Sequence, residues 1–430
     1  MTRDSAAAQS RRAAIARWSR ARRAAGLGAL AGGLALVAAA CGSSPAAVSP
    51  TTRTEPLSTT TTLPPLPPVD VAYVTLGGVG AEVGVGNSVV PVVLNGSTPG
   101  PETPIAVGTY PDSIAVTPNG QMAYVANYAA NTVTPIDLAT GRSLPPIAAG
   151  EGPAGIAITP NGKMAYVTDD GSVTSLGDTV TPINLVTGVA MAPITVGSGP
   201  QGIAITPNGQ TAYVADAGAI VSGQVGVPGD TVTPIELATG KTGPPITVGT
   251  GPTGIAISSD GAIAVVTNLD SGSVTPIDLE TDTPGSPIHV DGGPIAVTIS
   301  PNGQMAYVAD LPSSSAPGNN VVPVSLATDT AEAPIVVGRQ PQSLAFTPGG
   351  KTVWVTCIVS GTLVPISVPS NVAGPSISVS GGPLALAIVS RPQGGGSSGS
   401  SSTGVTSATS GSHVHTKPKA KSKAKRSATT

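Results

Sequence analysis

The chain has 430 residues, including 55 Gly and 44 Pro; 40% are hydrophobic, only 2% are aromatic, and the formal net charge is −3. Val, Ile and Ala are plentiful enough to bury a core, which excludes a wholly disordered chain, and the scarcity of rings means small and β-branched side chains must build it. Two cysteines in distant contexts exclude a disulfide framework.

Charge divides the chain into three parts. The first 60 residues carry eight Arg and two acids, residues 70–390 carry 21 acids against five Lys and Arg, and the tail from Arg391 is purely basic. An acidic body disfavours nucleic-acid binding by the folded part.

Residues 1–41 read as a signal peptide. A basic stretch (Arg11 to Arg23) precedes the uncharged Ala24–Ala40, which stops at Val37-Ala38-Ala39-Ala40-Cys41-Gly42. That ending resembles a bacterial lipobox, with Ala38 where Leu is favoured, and implies export and a lipid on Cys41 at the outer membrane face. Residues 42–69 form a flexible Ser/Thr/Pro linker.

From residue 70 to 390 one unit repeats. A proline opens each copy at 111, 153, 200, 252, 294, 341 and 383, with spacings of 42, 47, 52, 42, 47 and 42 residues. This is the period of four-stranded propeller blades. Each unit holds four β-type runs: a (such as 156–159), a Pro-Asn-Gly turn, b (123–126), c (132–138) and d (193–196). The last copy of a, Leu384–Val389, has no b, c or d after it, and the first b, c and d (Ala72–Val107) have no a before them. The expected fold is therefore all-β, a seven-bladed β-propeller of four-stranded blades, closed by the C-terminal strand joining the N-terminal blade. A proline inside every strand c (Pro91, Pro135, Pro182, Pro234, Pro276, Pro323, Pro365) predicts a bulge or an unpaired position there.

Tyr124-Val125-Ala126-Asn127, Tyr166-Val167-Thr168-Asp169 and Val265-Val266-Thr267-Asn268, with the following Thr-Val-Thr-Pro-Ile-Asp/Glu-Leu, resemble YVTN-family propeller repeats. The resemblance covers about residues 70–390; it implies the fold and an exported protein, and says little about chemistry.

Catalytic candidates are few. His289 falls on a strand d, which the resemblance puts at the outer rim, so neither a copper or haem ligand set nor a Ser-His-Asp arrangement is expected. Cys357 reads as a buried filler. Asn127, Asp169, Asp216, Asn268 and Asp310 read as Asx-type caps at the ends of strands b, while Asp169, Asp170 and Asp178 form the densest acidic loop and the residual metal candidate.

Recognition belongs on the loops that vary on a rigid scaffold. The b–c and d–a loops share one face, and Tyr110, Asp112, Glu151, Gln201, Arg339 and Gln342 are the candidate ligand contacts. The expectation is a non-catalytic, surface-anchored propeller that binds a protein or glycan there, without a cofactor. Two alternatives are a lactonase-like hydrolase using axial carboxylates, and a cell-wall structural protein. Residues 391–430, Gly/Ser-rich and then basic from Lys417 to Arg426, read as a disordered tail for anionic wall polymers.

Overall fold

The computed structural model describes residues 68–391 apart from 79–85, 96–97, 173–174, 219–227, 291 and 312–318. The expected signal peptide, Cys41, linker and basic tail lie outside these residues, as do parts of four b–c loops.

Seven antiparallel sheets form the blades of a propeller. Blade 2 shows the pattern: a is Pro111–Val116, b is Met122–Asn127, c is Thr132–Asp137, and d is split into Arg142–Ser143 and Ile147–Ala148. The strands a of blades 3, 4, 5, 6 and 7 are Pro153–Ile158, Pro200–Ile205, Pro252–Ile257, Gly293–Ile299 and Pro341–Phe346. Each contacts the strands a of both neighbouring blades, so these strands surround the axis.

The expected closure is present. Strand a of blade 1 is Pro383–Arg391, paired antiparallel with strand b, Val69–Leu76, from Val69↔Arg391 inward. The two strands exceed the expected limits of 70 and 390 by one residue each. Arg391 Nη2 meets Glu102 Oε1 at 2.6 Å and Ala385 N donates to Thr75 Oγ1 at 2.9 Å, tying C-terminal and N-terminal residues together.

No single hydrophobic centre exists. Buried side chains of the described residues gather instead into eight clusters: seven lie each between two adjacent blades, as with Val71, Tyr73, Ile114, Val125 and Ile136 between blades 1 and 2, and the eighth joins Tyr110, Tyr128, Ala154, Ile358 and Leu384. Strands b are buried on both faces, because each lies inside its own sheet and between neighbouring blades; Ala123, Val125 and Ala126 are all wholly buried. Small and β-branched residues fill such thin interfaces at crystal-like density.

Of the bulge or unpaired position expected at the strand c prolines, the structure contains the second. The b–c register runs unbroken through them (Tyr124↔Pro135, Tyr166↔Pro182), so strand c carries no bulge. The irregularity lies on the other side, where d is broken into two short pieces flanking the proline. Each proline carbonyl accepts a hydrogen bond from the break, for example Leu144 N to Pro135 O at 2.8 Å and Gly243 N to Pro234 O at 2.9 Å. Backbone N and O of one strand residue point to the same side, so the missing N–H faces the gap in d. This arrangement also shortens the exposed outer edge of every blade.

The bulges sit in strand a instead. In each blade the a–b register shifts just after the opening proline, as between Pro111 and Ser113 and between Pro200 and Ile203. His289 lies on strand d of blade 5 and is exposed.

Candidate functional site

The bulge determines what faces the axis. The extra residue after each proline sends its side chain to the channel mouth and its carbonyl to the preceding blade. Thr168 Oγ1 donates to Gln201 O at 2.7 Å, Thr253 Oγ1 to Ile295 O at 3.1 Å and Thr356 Oγ1 to Leu384 O at 2.6 Å; Ser113 Oγ bonds to Ala154 O. The next residue must be small because adjacent strands a meet there. A Cβ on Gly155 would stand 2.3 Å from Gln201 O, and one on Gly202 2.4 Å from Thr253 O.

A cavity of about 310 Å³ opens at this end of the axis. Its bulge side chains are Asp112, Gln201, Thr253 and Gln342, interspersed with Ala154, Ile295 and Leu384. Asp112 is the one carboxylate, and no Lys, Arg or His occurs, among the described residues of this wall. Gln342 is only 7% exposed and lines the cavity.

Of the six residues singled out from the sequence, the structure thus brings Asp112, Gln201 and Gln342 into one wall. Tyr110 lies beneath the mouth, 1% exposed, with its ring edge-on to Tyr128 at 5.9 Å. Its φ of 52° occupies a place where Gly152, Gly199 and Gly251 serve in other blades, a conformation costing an ordinary residue about 1 kcal/mol. Burial of the ring offsets it. Glu151 and Arg339 sit exposed on d–a loops and do not line the cavity. Thr253, Ala154, Ile295 and Leu384 escaped sequence reasoning, although the position after each opening proline marks all seven.

The acidic loop does not assemble. Asp169 is 2% exposed with its carboxylate inside the blade, Asp170 approaches the Tyr128 hydroxyl at 3.4 Å, and Asp178 is exposed. Neighbouring residues on a strand project to opposite faces, which separates Asp169 from Asp170. Among the described residues no group of three His, Cys, Asp or Glu side chains is placed to hold a metal.

The ends of strands b differ from the expected Asx caps. The side chains of Asn127, Asp169, Asp216 and Asn268 turn inward and are clamped by hydroxyls of strand c. Asp169 Oδ2 accepts from Thr179 Oγ1 (2.9 Å) and Thr181 Oγ1 (2.7 Å), and Asp216 Oδ2 from Thr231 (3.2 Å) and Thr233 (2.7 Å). Asn127 and Asn268 occupy the same clamp through Nδ2, 2.8 Å from Thr134 Oγ1 and 2.9 Å from Thr275 Oγ1. Desolvation dominates the electrostatics and pushes the Asp169 and Asp216 carboxyls up to about 6 despite the hydroxyl and glycine N–H donors. Cys357 takes the position in blade 7, wholly buried, where burial pushes its thiol up to about 11. It is inert filler.

A glycine of the preceding d–a connection makes room for each clamp. A Cβ on Gly197 would lie 2.4 Å from Asp216 Cγ. Gly197→Ala is therefore expected to destabilise the fold by about 2–4 kcal/mol through overpacking. Gly188→Ala, where φ is 68° but nothing lies within 4 Å, should lose only about 1 kcal/mol. Urea unfolding of the pair checks this; equal losses would remove the steric explanation.

No family model matches the chain, and no curated protein matches it. Solved structures similar to it include the periplasmic gluconolactonase PpgL of Pseudomonas aeruginosa, with TM-score 0.60, 20% identity, and coverage of 75% of this chain and 100% of that one. A putative 6-phosphogluconolactonase from Bacteroides uniformis matches with TM-score 0.60 and 16% identity over 75% of this chain and 100% of its own. Kuenenia stuttgartiensis hydrazine synthase matches with TM-score 0.57 and 20% identity over 66% of this chain and 96% of its own. Likeness at this identity shows the propeller fold alone.

Proposed function

We propose that the protein is an exported binding propeller, held at the cell surface through Cys41, which recognises a protein or glycan at the mouth of its axial cavity. The observation that carries this reading is the composition of the wall. Paired carboxylates, the usual equipment of hydrolytic carboxylate sites, need a second acid about 5–9 Å away, and Asp112 has none among the described wall residues. Amides, a hydroxyl and aliphatic side chains on rigid strands suit recognition. The leader and the basic tail support an address outside the cell, with the tail meeting anionic wall polymers. Resemblance to YVTN repeats agrees with such an address.

The lactonase-like alternative draws on the two lactonase neighbours and rests on fold analogy. Two measurements separate the readings. Purified protein is expected to hydrolyse glucono-δ-lactone no faster than buffer, and an Asp112-dependent rate would replace the binding role by catalysis. A photo-crosslinking residue placed at Glu151 or Arg339 on intact cells is expected to give discrete adducts, while one at Lys163 or Lys351 on the opposite turns gives none. Equal labelling of both faces would overturn the assignment of the mouth.

A further inference from the structure

We infer that the outer rim of blades 2 and 3 is an interaction surface for a second copy of this chain, paired about a two-fold axis. The surface is separate from the axial mouth and does not depend on the role proposed there.

The repeat supplies its own control. In blade 3 strand d consists of Val189–Ala190 and Ile194–Thr195. Its first piece pairs Asn184↔Val189, where blade 2 pairs Asp137↔Arg142 and blade 4 pairs Glu236↔Lys241. At the break in d, Met191 N donates to Pro182 O, and Gly243, Gly285 and Gly374 make the same bond in blades 4, 5 and 7. The fold therefore accepts a charge pair and a glycine at these places. Blade 3 instead presents Val189 and Met191 to solvent, with Val186 on the c–d turn 77% exposed.

Blade 2 continues the same surface. Val189–Ala190 lies against Ile147–Ala148, and Leu144, Pro145 and Pro146 are exposed just before that piece. Among the described residues, Leu144, Val186, Val189 and Met191 are four of the eight exposed large hydrophobic side chains, so exposure is gathered here and not scattered. Contiguous apolar surface of this kind marks an interaction site.

Charge selects the partner. Residues 143–150 and 179–199 contain no Asp, Glu, Lys or Arg. The two ends of the patch are balanced, since Arg142 stands opposite Asp137 and Lys241, beside Ile194–Thr195, stands opposite Glu236. A two-fold interface brings each patch against itself, and an apolar centre bounded by both signs tolerates that. The rim of blades 5 and 6 does not. It exposes Asp278, Glu280, Asp282, Asp329 and Glu332, and no Lys or Arg occurs from 242 to 338, so copies meeting there would oppose like charges. The break in strand d leaves little edge for a shared ladder, and side-chain packing carries the contact. The patch is smaller than the ~20–30 residues a side of a standard interface, which makes the dimer weak and reversible.

Sedimentation velocity of the full-length protein over a wide range of concentration tests the inference, and a reversible monomer–dimer equilibrium is expected. Val189→Arg combined with Met191→Gly installs residues that blades 2 and 4 already hold at these places. It should weaken the dimer about tenfold or more, a factor worth ~1.4 kcal/mol, and leave the unfolding temperature of the monomer unchanged. Val372→Arg, at the equivalent exposed valine of blade 7, should leave the dimer as it is. Monomer at every concentration, assemblies that grow beyond the dimer, or a dimer that the blade 3 variant leaves intact overturns the inference. Equal weakening by the blade 7 variant does the same. So does a monomer that binds phosphatidylcholine vesicles and loses them in the blade 3 variant, which would make the patch a lipid contact.

Discussion

Asp169→Asn and Asp216→Asn are each expected to stabilise the protein at pH 7.5 and to leave it unchanged at pH 4. Both carboxyls titrate near 6 in the fold, against 3.8 for a free carboxyl, because burial disfavours the charged form. The fold therefore holds protons that the unfolded chain releases between pH 4 and 6. Stability from this source is complete below about pH 4 and is lost as pH rises through 6. At neutral pH each residue must be ionised in a nearly dry clamp, a penalty on the order of 3 kcal/mol by the size of the shift. Asparagine already fills the identical clamp in blades 2 and 5, with nearly the same distance to threonine, so it fits without rearrangement. Denaturant titrations at the two pH values should show gains of about 1–3 kcal/mol per substitution at pH 7.5, and a flatter stability profile from pH 4 to 7 for the double variant. A loss of stability at pH 7.5 would mean that the charged carboxylates are net contributors.

Ending the chain at Gly382 is expected to abolish the cooperative fold. The deleted strand supplies Leu384 and Leu386, both under 7% exposed, to the interfaces of blade 1. Burying two leucines contributes roughly 3–6 kcal/mol, before the ladder to Val69–Leu76 and the Thr356 bond to Leu384 O are counted. A domain has only ~5–15 kcal/mol to lose. Removal also exposes the edge of a buried, apolar strand b, the kind of surface that pairs with other chains. Size-exclusion chromatography should find associated material and calorimetry no sharp transition. A monomeric truncated chain with a cooperative transition within a few degrees of the parent would show that seven blades hold without the closing strand.

The fold was legible because the chain repeats it. The proline spacing gave the blade count, and the unmatched a and b–c–d runs at the ends gave the closure, both of which the structure contains. Local chemistry was harder to read. The Asx residues at the ends of strands b were expected to cap turns, since sequence places them before loops; only the neighbouring strand reveals the threonine pair that captures them. The prolines of strand c rightly signalled an unpaired position, but a one-dimensional pattern does not say which neighbour is interrupted. At the site, Asp112, Gln201 and Gln342 were found through their departure from the repeat. Ala154, Ile295 and Leu384 were missed because apolar residues there read as core, and Ala154 and Leu384 do pack in a buried cluster while also lining the cavity.

Closure also sets how the ring carries load. Val69 and Arg391 are paired neighbours, so both ends leave side by side from the face opposite the cavity. Tension between the two ends would open that pairing like a zipper, one hydrogen bond after another, at low force. Tension between the N-terminal segment and a ligand seated in the mouth runs instead along the length of the strands, loading many bonds of blade 1 in shear together. The ring is thus expected to yield first when pulled from end to end, and to resist longest when pulled along its strands.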